Sequence, residues 1–317
     1  MAFKLLSEFT VENLPPKMTN MITVNQDDSL PKVFKTLASN NILAVPVLNE
    51  KNRPIGLVDF VDIVCCVTQI INHTDLLGTD YYSFLEREDL FNNTRANFIT
   101  DLSERNPFAP VVKGASLLEA MTVMTMNKTN RIPIIENDSI DGAKIINLVT
   151  QSALMSFLSK NLEALGPWTN KSLKSLGFKE KHVISIEHYK KAIDAFQLMA
   201  NNRVNGIAVV DDKGALMANI SARDLRELLN ETKMFENLYI TVSEFVSRVR
   251  MNLLKTVYPS ICCSFDDSLA SIMTKMCAAH IHRIYVVDQD KKPIGVISFH
   301  DIIEKILEFI NSGEPSQ

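Results

Sequence analysis

Glycine is scarce in this chain, ten residues in 317, and none of them form a phosphate-cradling run. There is no G-x-x-x-x-G-K-[ST] loop, no G-x-S-x-G elbow, no H-E-x-x-H and no kinase catalytic set, so the common nucleotide-hydrolysing, esterase, metalloprotease and kinase chemistries have no residues to stand on. Cysteine is equally uninformative as a framework. Cys65, Cys66, Cys262, Cys263 and Cys277 are two adjacent pairs and a single, with neither C-x-x-C spacing nor an even count, which points to a reducing compartment and to small apolar fillers. No apolar run approaches the roughly 18 residues that span a bilayer. Nor is charge of one sign in excess: a net charge of −4 and a pI near 5.9 offer nucleic acid or anionic lipid no broad attraction. The expected setting is the cytoplasm, with the nucleus also open.

What the sequence does contain is repetition. Four segments share an apolar helix, a β run, a polar turn, a second β run and another helix. The first β runs are Ala44–Leu48, Arg131–Ile135, Gly206–Val210 and Arg283–Val287; the second are Ile55–Val58, Lys144–Val149, Leu216–Ile220 and Ile294–Ile297. Between them lie Asn49–Pro54, Glu136–Gly142, Asp211–Gly214 and Asp288–Pro293, rich in the residues that close turns. Helices such as Ser29–Asn40 and Ser268–Ala279 precede the β runs, and Asp301–Ile310 shows helical spacing of its apolar residues after one. A single β-α-β-β-α unit leaves one apolar sheet face bare, so units must pair. Sequential pairing gives 10–166 and 167–312, with the Gly166-Pro167 breaker between them and a frayed tail at 313–317.

Repeat 4 reads HIHRIYVVDQDKKPIGVISFHDII and repeat 3 contains NISARDL. With four units in register, the chain resembles the cystathionine-β-synthase (CBS) domain family, in the tandem arrangement of the AMP-activated protein kinase gamma subunits and the plant gamma-like four-repeat proteins. The resemblance implies an α/β fold of four CBS repeats, paired into two Bateman-type modules that form a disc with adenine-nucleotide clefts. It implies AMP, ADP or ATP as regulatory ligands, no metal, no catalysis, and kinase subunits of the Snf1/AMP-activated type as partners; a homodimer is also allowed.

Carried over residue by residue, the ribose-binding aspartates correspond to Asp62, Asp224 and Asp301, with Ala153 in the second repeat. A carboxylate there sits at a helix start, where the dipole tolerates it. Thr150, Ser221 and Ser298 supply hydroxyls three residues earlier, and Arg131, His282 and Arg283 offer charge-assisted contacts to phosphate. The pattern is incomplete. Asp59 stands at the hydroxyl position of repeat 1, Leu43 replaces a basic residue, Asn130-Arg131 replaces His-Arg, and Gln151 and Ser152 replace basic residues. Losing two or three charge-assisted bonds weakens a site by orders of magnitude. That leaves two rival readings: a nucleotide-free interaction scaffold, and a sensor of another adenosyl compound such as S-adenosylmethionine.

Other features have plainer expectations. His280, His282 and His300 cluster in repeat 4, but His280-x-His282 lacks a nearby thiolate or third ligand at a typical metal-site spacing. Met121, Met124, Met126, Met273 and Met276 read as core, and Trp168 as a buried anchor for the connection between halves.

Overall fold

The computed structural model describes residues 2–15, 21–74, 81–137, 144–228, 234–252 and 260–312. The tail at 313–317 and most of the turn at 136–142 lie outside these residues. The four expected units are present, and they are close copies. Each has a three-stranded sheet with strands in sequence order, the first pair parallel and the second antiparallel. Every first helix is 10 residues long: Leu30–Ser39, Leu117–Met126, Ala192–Asn201 and Leu269–Ala278.

These helices all end the same way. Asn41, Lys128, Arg203 and His280 take positive φ of 50–53°. The next residue's N–H then closes back five residues: Ile42 to Leu37, Thr129 to Met124, Val204 to Met199 and Ile281 to Met276. This is the Schellman stop, and it aims the chain directly into the following strand. That strand, Ala44–Leu48, Arg131–Ile135, Gly206–Val210 or Arg283–Val287, pairs with the next in one fixed register. Ala44 faces Asp59, Arg131 faces Thr150, Gly206 faces Ser221 and Arg283 faces Ser298.

After the sheets come helices Phe60–Thr74, Gln151–Lys160 and Phe299–Asn311. Repeat 3 departs from expectation: its segment Ala222–Leu228 is a tighter 3-10 helix.

The pairing of units is not the sequential one. The chain forms two compact units that interleave: 1–21, 108–183 and 261–317 in one, and 22–107 and 184–260 in the other. Repeats 2 and 4 therefore share a unit, as do repeats 1 and 3, and the halves 10–166 and 167–312 do not describe the compact bodies. The reason is packing between helices. In one unit the last helix of repeat 1 lies against the first helix of repeat 3; in the other, the last helix of each of repeats 2 and 4 lies against the first helix of its mate. Ile63, Val64 and Ile71 bury against the side that holds Phe196 and Met199. In the second unit Met121, Met124, Leu154, Leu158, Met273, Met276 and Ile303 share a core. Each such side chain contributes roughly 1.5–3 kcal/mol of burial.

The compact unit also extends ahead of the expected boundary at 10. Helix Ala2–Glu8 buries Leu6, and the following turn bonds repeat 2 through Val11 N–H to Ala115 O (2.9 Å) and Leu117 N–H to Phe9 O (2.9 Å). Of the five methionines expected in the core, Met126 is the exception, 78 % exposed at a helix end. Trp168 is the anchor expected: buried, stacked on Phe309 at 4.4 Å, its Nε1 donating to Leu165 O at 2.9 Å. Cys65, Cys66 and Cys263 are buried, and burial pushes their thiols up to about 11, 12 and 12. Among the described residues no helix is long and apolar enough to cross a membrane.

Candidate functional site

The shared register brings the same four positions together in every repeat: the residue before the first antiparallel strand, the residue that opens that strand, the hydroxyl position opposite, and the position three residues on. In repeat 4 these are His282, Arg283, Ser298 and Asp301. Ser298 caps its helix, accepting from Asp301 N–H at 3.3 Å, while Asp301 Oδ2 accepts from Ser298 N–H at 2.7 Å and from the Ser298 hydroxyl. This is a capping box. The other carboxylate oxygen, Oδ1, holds Lys181 Nζ at 3.0 Å. Burial would raise the Asp301 pKa, but the Ser298 hydroxyl and the Lys181 charge together hold it below the usual carboxylate range. Asp301 is therefore ionised at neutral pH.

Across the sheet, Arg283 has Nη1 buried without a hydrogen-bond partner, although its guanidinium also bonds the Tyr285 hydroxyl. Tyr285 itself is pushed up to about 12 by burial. His282 Nε2 and Ser152 Oγ share a hydrogen bond of 2.8 Å. Ser152, which stands where a basic residue was expected, thus links repeat 2 to the imidazole of repeat 4.

Repeat 2 is the plainest of the four. Thr150 accepts from Ala153 N–H at 3.1 Å as a simple helix cap, and Arg131 is its cross-strand neighbour. Gln151 Nε2 donates to Thr129 O at 3.2 Å, a structural use of a position expected to bind phosphate. In repeat 3, Asp224 Oδ2 accepts from Ser221 N–H at 2.7 Å and Oγ at 3.0 Å. Burial pushes the Asp224 pKa up, opposed by those bonds and then by the charges of Arg223 and Arg250. Gly206 leaves this repeat with no basic side chain opposite Ser221.

Repeat 1 overturns an expectation. Asp62 is fully buried and both its oxygens are taken by the protein. Oδ1 accepts from Ser103 N–H (2.9 Å) and Ser103 Oγ (2.6 Å); Oδ2 accepts from Asp59 N–H (2.7 Å) and Asn106 Nδ2 (3.0 Å). Burial first, and then the neighbouring Asp59, pushes Asp62 up to about 8 against the pull of those donors. No acceptor is left for a ribose. The segment carrying Ser103 and Asn106 is itself tied down, by Glu104 to Arg203 at 2.6 Å and Arg105 Nη1 to Arg203 O at 2.5 Å. Sequence reasoning missed Ser103, Asn106 and Lys181. The first two carry no signal; Lys181 sits in the mixed-charge segment Lys179–His182, which alone says nothing of its partner. Among the described residues no three His, Cys, Asp or Glu side chains are placed to hold a metal ion.

The CBS-domain family matches residues 11–67, 178–231 and 253–308, more than half of the chain. The chain belongs to the CBS-domain family. The matched ranges cover repeats 1, 3 and 4; repeat 2 joins them by its identical strand order and register. Among relatives of the CBS protein is the SNF1-related protein kinase regulatory subunit gamma-1 of Arabidopsis thaliana, 26 % identical over 90 % of this chain and 78 % of its own length. Another is the 5'-AMP-activated protein kinase subunit gamma of Saccharomyces cerevisiae, 23 % identical over 96 % of this chain and 92 % of its own. This CBS chain spans between half and three-fifths of several further relatives. Its fold is shared with protein MJ1225 of Methanocaldococcus jannaschii, at a TM-score of 0.70 and 19 % identity, over 95 % of this chain and 99 % of that one.

Proposed function

We propose that this CBS protein is a non-catalytic regulatory subunit that binds an adenine nucleotide at repeat 4 and signals its occupancy to a protein kinase of the Snf1/AMP-activated type. The observation that carries the reading is the corner of repeat 4. An ionised Asp301 bonds Ser298, and directly across the sheet from Ser298 is Arg283, whose guanidinium has one buried, unpartnered nitrogen. A carboxylate suited to sugar hydroxyls, at the same sheet corner as a guanidinium with one nitrogen still unpartnered, suits a phosphorylated nucleoside. The names of the plant and yeast relatives, both kinase gamma subunits aligned along nearly this whole chain, support the partner. Bound nucleotide would favour one conformation by its differential affinity and alter the kinase through that conformation.

Isothermal titration with AMP, ADP and ATP tests the ligand. Binding that Asp301→Ala weakens about tenfold or more supports the reading; no heat from any of the three at millimolar concentration rejects it. Copurification of kinase subunits with the tagged protein, with and without nucleotide, tests the partner.

A second reading, a nucleotide-free scaffold, is favoured by repeat 1, where protein groups saturate Asp62. A scaffold's partners would not respond to nucleotide. S-adenosylmethionine as ligand is the remaining alternative, and competition against AMP separates the two.

A further inference from the structure

Lys181 lies on the chain entering repeat 3, 120 residues from Asp301 in sequence, and its bond to Asp301 Oδ1 has no counterpart in the family pattern read from the sequence. Its backbone is fixed, with its N–H donating to Ile294 O at 3.0 Å, beside the strand that ends in Ser298. Its side chain is 45 % exposed. An anchored backbone with a solvated head can release its partner without unfolding anything, and an exposed ion pair of this kind is held weakly.

The two oxygens of Asp301 are unequal. Oδ2 is committed to the helix cap by two donors from Ser298. Oδ1 is the oxygen through which a ribose could enter, and Lys181 occupies it. A sugar hydroxyl that takes Oδ1 leaves an ammonium without its anion, at the repeat that carries Arg283, which faces Ser298 across the sheet and whose Nη1 already lacks an acceptor. Among Lys181, Arg283 and Asp301 the net charge is one positive. Adenosine adds no charge and would strand the lysine. S-adenosylmethionine carries its own sulfonium and would add to the excess. A phosphate monoester brings two negative charges and strong acceptor oxygens, and it re-pairs the displaced ammonium.

We propose that Lys181 is an exchangeable counter-ion that makes the repeat 4 site select phosphorylated adenosines: it passes from Asp301 to the ligand's phosphate as the ribose takes Oδ1. This inference rests on the nucleotide reading of repeat 4, and it names a ligand contact that reading did not contain.

The test is titration of the full chain with AMP, adenosine and S-adenosylmethionine, in wild type, Lys181→Met, Lys181→Arg and Asp301→Ala. Wild type should prefer AMP to adenosine by tenfold or more. In Lys181→Met, AMP should weaken about tenfold while adenosine holds or tightens, because Oδ1 is vacated, so the preference collapses. Lys181→Arg should restore most of it. An AMP-to-adenosine ratio unchanged in Lys181→Met, with Asp301 still required, overturns the counter-ion role and leaves the nucleotide site standing. AMP binding indifferent to Asp301→Ala, or no AMP binding in wild type, removes the site itself and this proposal with it. Unaltered melting of Lys181→Met confirms that selectivity, rather than folding, is being read.

Discussion

Repeats 1 and 4 place an aspartate at the same point of the same fold, three residues after the end of the sheet, and treat it in opposite ways. Asp62 is sealed by four donors from Ser103, Asn106 and the backbone of Asp59. Asp301 keeps one oxygen for its cap and lends the other to a half-exposed lysine. In both cases the carboxylate is satisfied, as buried polar groups must be. What separates them is whether the partner can leave. Ser103 and Asn106 are buried and part of the fold; Lys181 is a solvated head on an anchored stem. A family motif therefore marks where a ligand could bind, and the surrounding chain decides whether it can.

The largest expected break in this contrast is Asp62→Ala. It strands the Ser103 hydroxyl and N–H and the Asn106 amide in a dry interior, and should cost about 2–4 kcal/mol in urea denaturation. A loss below about 1 kcal/mol would mean that the network does not hold repeat 1 closed.

The same network sets a pH dependence. The folded value of Asp62 is about 8, above its ordinary value of 3.8. Its contribution is thus complete below about pH 4 and is lost as pH rises through about 8. The melting temperature should fall between pH 5 and pH 8.5, and Asp62→Asn should flatten that slope. An equally steep fall in the variant would assign the effect to another group.

Gly56 and Gly295 extend the contrast to the backbone, since they hold the same register opposite Val47 and Val286. A Cβ on Gly56 would come within 2.4 Å of the Thr100 methyl, whereas one on Gly295 would meet Phe265 Cζ at 3.3 Å. Gly56→Ala should therefore destabilise by about 1–3 kcal/mol and Gly295→Ala by less than about 1, measured by thermal or chemical melts. Comparable losses would show that the segment beginning at Thr100 is not pressed onto repeat 1. Between those two glycine variants lies Asp301→Ala, which removes one half of a capping box and should cost about 0.5–2 kcal/mol. Smallest is Lys181→Met, within about 1 kcal/mol in stability because its ion pair faces solvent, although its effect on ligand preference should be clear.

Much of this was legible along the chain. The β runs, the turns and three of the four closing helices follow from period and turn chemistry, and Trp168 follows from being a lone large aromatic at a junction. The Ser298 and Asp301 cap is visible as a hydroxyl and an acid three residues apart before an apolar helix. Other features were not. Asp62 holds the same position as Asp301, and beyond the change from Ser298 to Asp59 the groups that seal it, Ser103 and Asn106, lie 41 and 44 residues away. The 3-10 turn of repeat 3, where a regular helix is expected, and the helix Ala2–Glu8, ahead of the expected start at 10, depend on packing because short helices are decided by what they pack on.

The sequence by itself determined the unit: a helix stopped by a left-handed residue, two strands in one register, and a hydroxyl or acid where the next helix begins. These are interactions between residues a few positions apart, which composition and period can encode. Only the tertiary structure decided that repeats 1 and 3 share a core, as do 2 and 4, that Ser103 closes on Asp62, and that Lys181 guards Asp301. Those contacts join residues tens to more than a hundred positions apart, where pairing is chosen by which apolar faces and which charges meet once the chain has folded, and no local pattern records the choice.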